Sequence, residues 1–158
     1  IKGLNEDLAA ELGTVIRYTY QAGKCFGLLG AELRELLGKD AQDELGHAAF
    51  LTDVILDLGG EPTTTPKPFE KPADLKAMIE LNLAMEAQDV KNYLAHANLA
   101  EQLGLPELKL KLEELAADEA GIGNDGRPLT TKLRVPKGAV SADHIHPEAS
   151  TASDAQEG

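Results

Sequence analysis

The sequence predicts an all-α fold: a bundle of four helices with one long crossover between the second and third, followed by an irregular C-terminal tail. Three observations carry this prediction. Apolar residues recur in steps of three and four through most of residues 1–122. Residues that favour strands are scarce, with aromatics at 4% and no Trp, while Ala, Leu and Glu abound. Four prolines crowd into EPTTTPKPFEKP, residues 61–72, which cannot be helical and so divides the periodic runs into two pairs.

The first run reads Leu4, Leu8, Glu11, Val15, Tyr18, Ala22, Cys25, and is expected to end at Gly27 and Gly30. The second reads Leu33, Leu37, Asp40, Glu44, His47, Leu51, Val54, Leu58, with Gly59-Gly60 as its stop. The third, placed at about 73–103, starts near Asp74 and reads Ile79, Leu83, Glu86, Val90, Tyr93, Ala97, Ala100. Gly104 breaks it, and Pro106 suits the first turn of a fourth run, Leu108, Leu112, Leu115, Glu119, Ile122. Each set lies along one face of its helix.

The connections set the topology. Short glycine-bearing links make helices one and two, and three and four, antiparallel neighbours. The segment 61–72 can extend to roughly 40 Å, and a helix of about 27 residues is also roughly 40 Å long. The linker can therefore travel the length of the bundle and leave helices two and three parallel, the arrangement of bundles with one long crossover. The domain is expected to span residues 1–122, with 123–158 an irregular or extended tail.

Composition narrows the function. Asp and Glu number 27 against 15 Lys and Arg, a formal charge of −12, which argues against nucleic acid or an anionic membrane as partner. The single Cys excludes an internal disulfide, a zinc finger and a cysteine-ligated iron site, and fits a reducing cytosol. Without a signal-peptide pattern or an apolar run of ~20 residues, a cytoplasmic chain is expected.

Within this acidic chain, carboxylates stand where leucines belong. Glu11, Glu44, His47, Glu86 and Glu119 interrupt the apolar stripes, with no Lys or Arg on the same stripes to neutralise them. Burying an unpaired carboxylate costs several kcal/mol, and clustered ones repel. A cation between them is therefore expected. Glu44 and His47 form E-x-x-H, and a spacing of three on a helix aims both at one ion. Bundles that hold two metal ions take one Glu from each of two helices and E-x-x-H from each of the other two. Five of those six positions are filled; the sixth is Ile122.

Segments of all four runs resemble the bacterioferritin and wider ferritin-like family: LNEDLAAELGTVIRYTY, DELGHAAFLTDVILDLGGEP, LNLAMEAQDVKN and LEELAADEAGI. The resemblance spans about residues 4–122. It implies a di-iron centre with Glu86 and Glu119 bridging, Glu11 capping one iron, Glu44 bridging or binding the other, and His47 terminal. It further implies that Tyr18 lies beside the metals with a redox or hydrogen-bonding role. Where bacterioferritins carry a haem-binding Met this chain has Leu45, so no haem is expected by that route. The function so implied is oxidation of Fe(II), by O2 or peroxide, for storage or detoxification in a cage-like homo-oligomer assembled from dimers. Two alternatives stand beside it. One is a degenerate, shell-forming subunit with weak or partial metal binding. The other is a different di-metal enzyme of peroxidase or manganese-catalase type.

The resemblance stops near residue 121, where GIGNDGRPLTTKLRVPKG begins. Three readings of the tail stay open: an oligomer-contact extension, an altered end left by a frameshift, or a peptide docking into a larger compartment. For the last, LTTKLR is similar to encapsulin cargo tags but lacks their glycine-serine step. His144 and His146 are read as a solvated pair near a Pro, a returning ligand being the alternative. His96 is placed at the surface or an interface, about 15 Å from Glu86 by helix rise. Cys25 is read as a small buried hydrophobe.

Overall fold

The computed structural model describes residues 1–121, apart from the side chains of Leu28 and Leu29. The expectations for Ile122 and for residues 123–158, including His144 and His146, lie outside the described residues. Four helices make up the fold: α1 Lys2–Lys24, α2 Gly27–Asp57, α3 Leu75–Gln102 and α4 Pro106–Glu119. The signals named above set most boundaries. Gly59 closes α2 at a φ of 74°, which residues with a Cβ rarely adopt. The Asp74 carboxylate caps α3 by accepting from the Ala77 N–H at 2.8 Å, and Pro106 stands in the first turn of α4.

One boundary differs from expectation. The α1–α2 break falls at Cys25 and Phe26, Gly27 begins α2, and Gly30 lies inside that helix. The chain turns there because Cys25 is extended and buried. Gly30 serves close packing instead, since a Cβ at that position would lie 3.1 Å from the Cys25 carbonyl carbon.

Pairing across the bundle fixes the directions. Gln21 meets Asn82, Tyr18 meets Glu86, Glu11 meets Tyr93 and Asp7 meets His96, so α3 runs antiparallel to α1. With α2 folded back on α1, helices α2 and α3 are parallel, and α4 returns beside α3, tied by Lys109 to Glu101 at 2.8 Å.

The crossover follows α1 along its length. Asn5 donates to the Glu61 carbonyl at 3.0 Å, the Lys67 N–H donates to the Ala9 carbonyl at 2.7 Å, and Phe69 stacks near Tyr20. Its closest approach is at Gly13, where a Cβ would lie 2.5 Å from the Lys67 carbonyl oxygen. Gly13→Ala is therefore expected to push the crossover off α1 at a cost of about 1–3 kcal/mol, measurable in urea unfolding. An unchanged midpoint would show that the crossover yields freely.

The apolar core is in two parts. At one end Leu4, Leu8, Leu51, Ile55, Ala97, Leu112 and Leu115 pack together. At the other, Leu37, Ala41 and Cys25 pack near Leu75 and Met78. Cys25 is buried as expected, its thiol against the Gln21 carbonyl. Between the two parts lies a band of buried charge.

Candidate metal centre

Each helix delivers its carboxylate to this band. Glu11, Glu44, Glu86 and Glu119 are all buried, Glu44 at 1% exposure. Ligand atoms of Glu11, Glu44, His47 and Glu119 lie within 4.8 Å of one another. His47 sits at their centre: its Nδ1 is 3.0 Å from Glu119 Oε1, 3.1 Å from Glu44 Oε2 and 3.8 Å from Glu11 Oε2. Its other nitrogen faces the half-exposed Asp118 at 4.0 Å.

Glu86 takes a different set of contacts. Tyr18 donates its hydroxyl to Glu86 Oε1, and Arg17 Nη2 donates to the same oxygen at 3.3 Å. Arg17 is 0% exposed and lies over the Tyr18 ring at 4.9 Å. No Lys or Arg stands on the stripes themselves, but Arg17, one position off the α1 stripe, brings a buried cation to Glu86. The periodicity of the stripes says nothing about it. Its aliphatic stem is buried together with its charge because Glu86 and the Tyr18 ring receive the guanidinium.

The protonation pattern follows from crowding. Burial, and then the charge of Glu11, push Glu44 up to about 7. Burial opposes a charged His47, but hydrogen bonds to Glu11, Glu119 and Glu44 outweigh it and push the imidazole up to about 12. Asp89 is pushed up to about 7 by burial and by the charges of Glu86 and Glu119. Tyr18 and Tyr93 are raised far above the usual phenol range, chiefly by burial, and stay protonated donors.

The band has an internal two-fold relationship that the periodicity reading missed. Asp7, Glu11, Tyr18 and Gln21 on α1 recur on α3 as Asn82, Glu86, Tyr93 and His96, each 75 positions later. Glu44 and Glu119 stand 75 apart as well, inside DELGH and DEAGI. In three dimensions each set pairs with the other. Tyr18 donates to Glu86 and Tyr93 to Glu11, while Gln21 and Asn82 exchange two amide hydrogen bonds of 3.0 and 2.7 Å. His96, expected at the surface or an interface, is half-buried and bonds Asp7 at 2.6 Å, in space left by Gly3. Tyr93, seven residues after Glu86 as Tyr18 is after Glu11, was the signal available in the sequence.

The residues present suit a metal ion. Three carboxylates and an imidazole form a donor set for a divalent first-row cation. In addition, Glu44 Oε1 is buried without a hydrogen-bond partner among the described residues, a deficit that a bound cation removes. Leu45, at the position of the expected haem-binding Met, is 56% exposed on α2. Among the described residues no helix is long and apolar enough to cross a membrane.

Comparison with known proteins agrees with this architecture. The ferritin-like domain family matches residues 1–121. A ferritin-like di-iron-carboxylate protein of Bacillus anthracis is 36% identical, with a TM-score of 0.74 over 76% of this chain and 86% of its own. BfrA of Mycobacterium tuberculosis shares the fold at 24% identity and a TM-score of 0.70, over 75% of this chain and 74% of its own. A dodecameric thioferritin from Bacteroides fragilis does so at 21% and 0.62, over 75% and 76%. No curated protein was found that matches the chain. Four helices with one crossover, a buried carboxylate band and the match over residues 1–121 lead to one conclusion: the chain belongs to the ferritin-like family.

Proposed function

We propose that the chain is a ferroxidase, binding iron(II) as substrate in the carboxylate band, each ion giving up one electron and each O2 or peroxide molecule drawing on two or more ions. The observation that carries this reading is the convergence of Glu11, Glu44, His47 and Glu119 on one buried spot. A set of hard oxygen donors stabilises the ferric over the ferrous ion, which favours oxidation once iron is bound. The protein's own contribution is positional. Tyr93 holds Glu11, Tyr18 holds Glu86, and His47 surrenders its proton as metal enters, because binding requires the neutral imidazole.

Assembly into a cage of homodimers would allow storage, since one bundle cannot enclose a mineral. A second reading, a shell-forming subunit with partial metal binding, is favoured by Ile122, which has no donor atom.

The test is anaerobic loading with iron(II) followed by O2, watching the near-ultraviolet ferric absorption. Glu44→Gln is expected to slow its appearance by more than about 100-fold, beyond the 10–100-fold typical of groups that merely orient a ligand. An unchanged rate would remove the centre from the reaction.

A further inference from the structure

We propose that the Arg17 guanidinium is a built-in second cation, so that the band takes up one divalent metal ion per chain where a symmetric site would take two. The proposal rests on the metal-binding reading above and adds to it the number of ions and the residue that sets it.

The internal repeat shows what a symmetric site would contain. One half offers Glu11, Glu44 and His47; the other offers Glu86, Glu119 and, in place of the histidine, Ile122. In sequence, the repeat that carries His47 in the first half therefore carries a residue without a donor atom in the second. Arg17 stands on that same side. Its Nη2 reaches Glu86 Oε1 at 3.3 Å, its Nη1 is 2.7 Å from Met85 Sδ, and the Tyr18 ring closes it from solvent. The residue 75 positions after Arg17 is Asn92, so the repeat on α3 carries no arginine at the corresponding position. The asymmetry is complementary: the half with the histidine lacks the arginine, and the half with the arginine lacks the histidine.

His47 and Arg17 differ in what they can offer a metal ion. An imidazole has a ring nitrogen that can coordinate. A guanidinium keeps its charge at every physiological pH and cannot turn into a ligand. A second metal ion at Glu86 would have to share that carboxylate with a fixed positive charge in a site of low dielectric, where repulsion is strong.

Anaerobic titration with cobalt(II), with bound metal counted after equilibrium dialysis and coordination followed by visible absorption, tests this. Wild type is expected to hold one cobalt per chain, and Arg17→Leu two. The double variant Arg17→Leu/Glu86→Gln is expected to hold one, and Glu44→Gln none. Two ions in wild type, or one in Arg17→Leu, would overturn the proposal while leaving metal binding intact. No cobalt in wild type would overturn the metal-binding reading itself. Should Arg17→Leu fail to fold, the count in wild type and in Glu86→Gln still decides, and loss of the bound ion in Glu86→Gln would also overturn it.

Discussion

Arg17→Leu is expected to lower the stability of the metal-free protein by about 3–5 kcal/mol, the cost of removing one partner of a buried ion pair. The loss comes mainly from what remains. Glu86 would keep the Tyr18 hydroxyl but lose its guanidinium, among Glu44, Glu119 and Asp89 whose charges are already crowded. Replacing both partners, as in Arg17→Leu/Glu86→Gln, is expected to recover most of the loss, because no uncompensated charge stays behind. Urea unfolding of chelator-treated protein measures all three. If the single and double variants lose equal stability, Arg17 matters for packing and its charge does not. Cobalt(II) added to the single variant is expected to restore stability, since an ion that binds only the folded state stabilises it by mass action.

The metal-free protein is also expected to lose stability as pH rises from about 4 to 7. Glu44 and Asp89 are each pushed up to about 7 from ordinary values near 4, so the folded chain holds protons that the unfolded chain has released. Where the native state binds more protons, stability falls with rising pH. At about 1.4 kcal/mol per pH unit per group, the two together set an upper limit on the loss on the order of 8 kcal/mol. His47 acts in the same direction over a later window. Its stabilisation is complete below its ordinary value of 6.5 and is lost as pH climbs through about 12. Calorimetry with chelator present is expected to show a higher Tm near pH 5.5 than near pH 8. Asp89→Asn is expected to raise the value at pH 8 while changing it little at pH 5.5. A Tm that rises between the two pH values would mean that the carboxylates find neutralising partners without metal.

Much of this was legible in the sequence, for identifiable reasons. Helices with a long apolar stripe announce themselves by period, and their stops by Gly59, Asp74, Gly104 and Pro106, because each of these residues has a specific conformational or capping role. Glu11, Glu44, Glu86 and Glu119 were visible because a charge on an apolar stripe breaks the period. Arg17 was not, since it stands beside the stripe and its charge is met by Glu86, 69 residues away. The Asp7 and His96 pair was missed for the same reason: single positions on two helices reveal nothing until the antiparallel register of α1 and α3 is known. The 75-residue offset contains that register, since it pairs each α1 residue with the partner of its own counterpart.

Glu119 is the last residue of α4 as described, so one wall of the centre hangs from a helix end. Helix termini open more readily than interiors. The other three walls come from within α1, α2 and α3, each 23 residues or longer. A captured ion would tie the last described turn of α4 to the other three helices through Glu119. Ion occupancy should then be readable as slowed amide exchange at Asp118, Glu119 and Ala120, far from the oxidation chemistry's own spectrum.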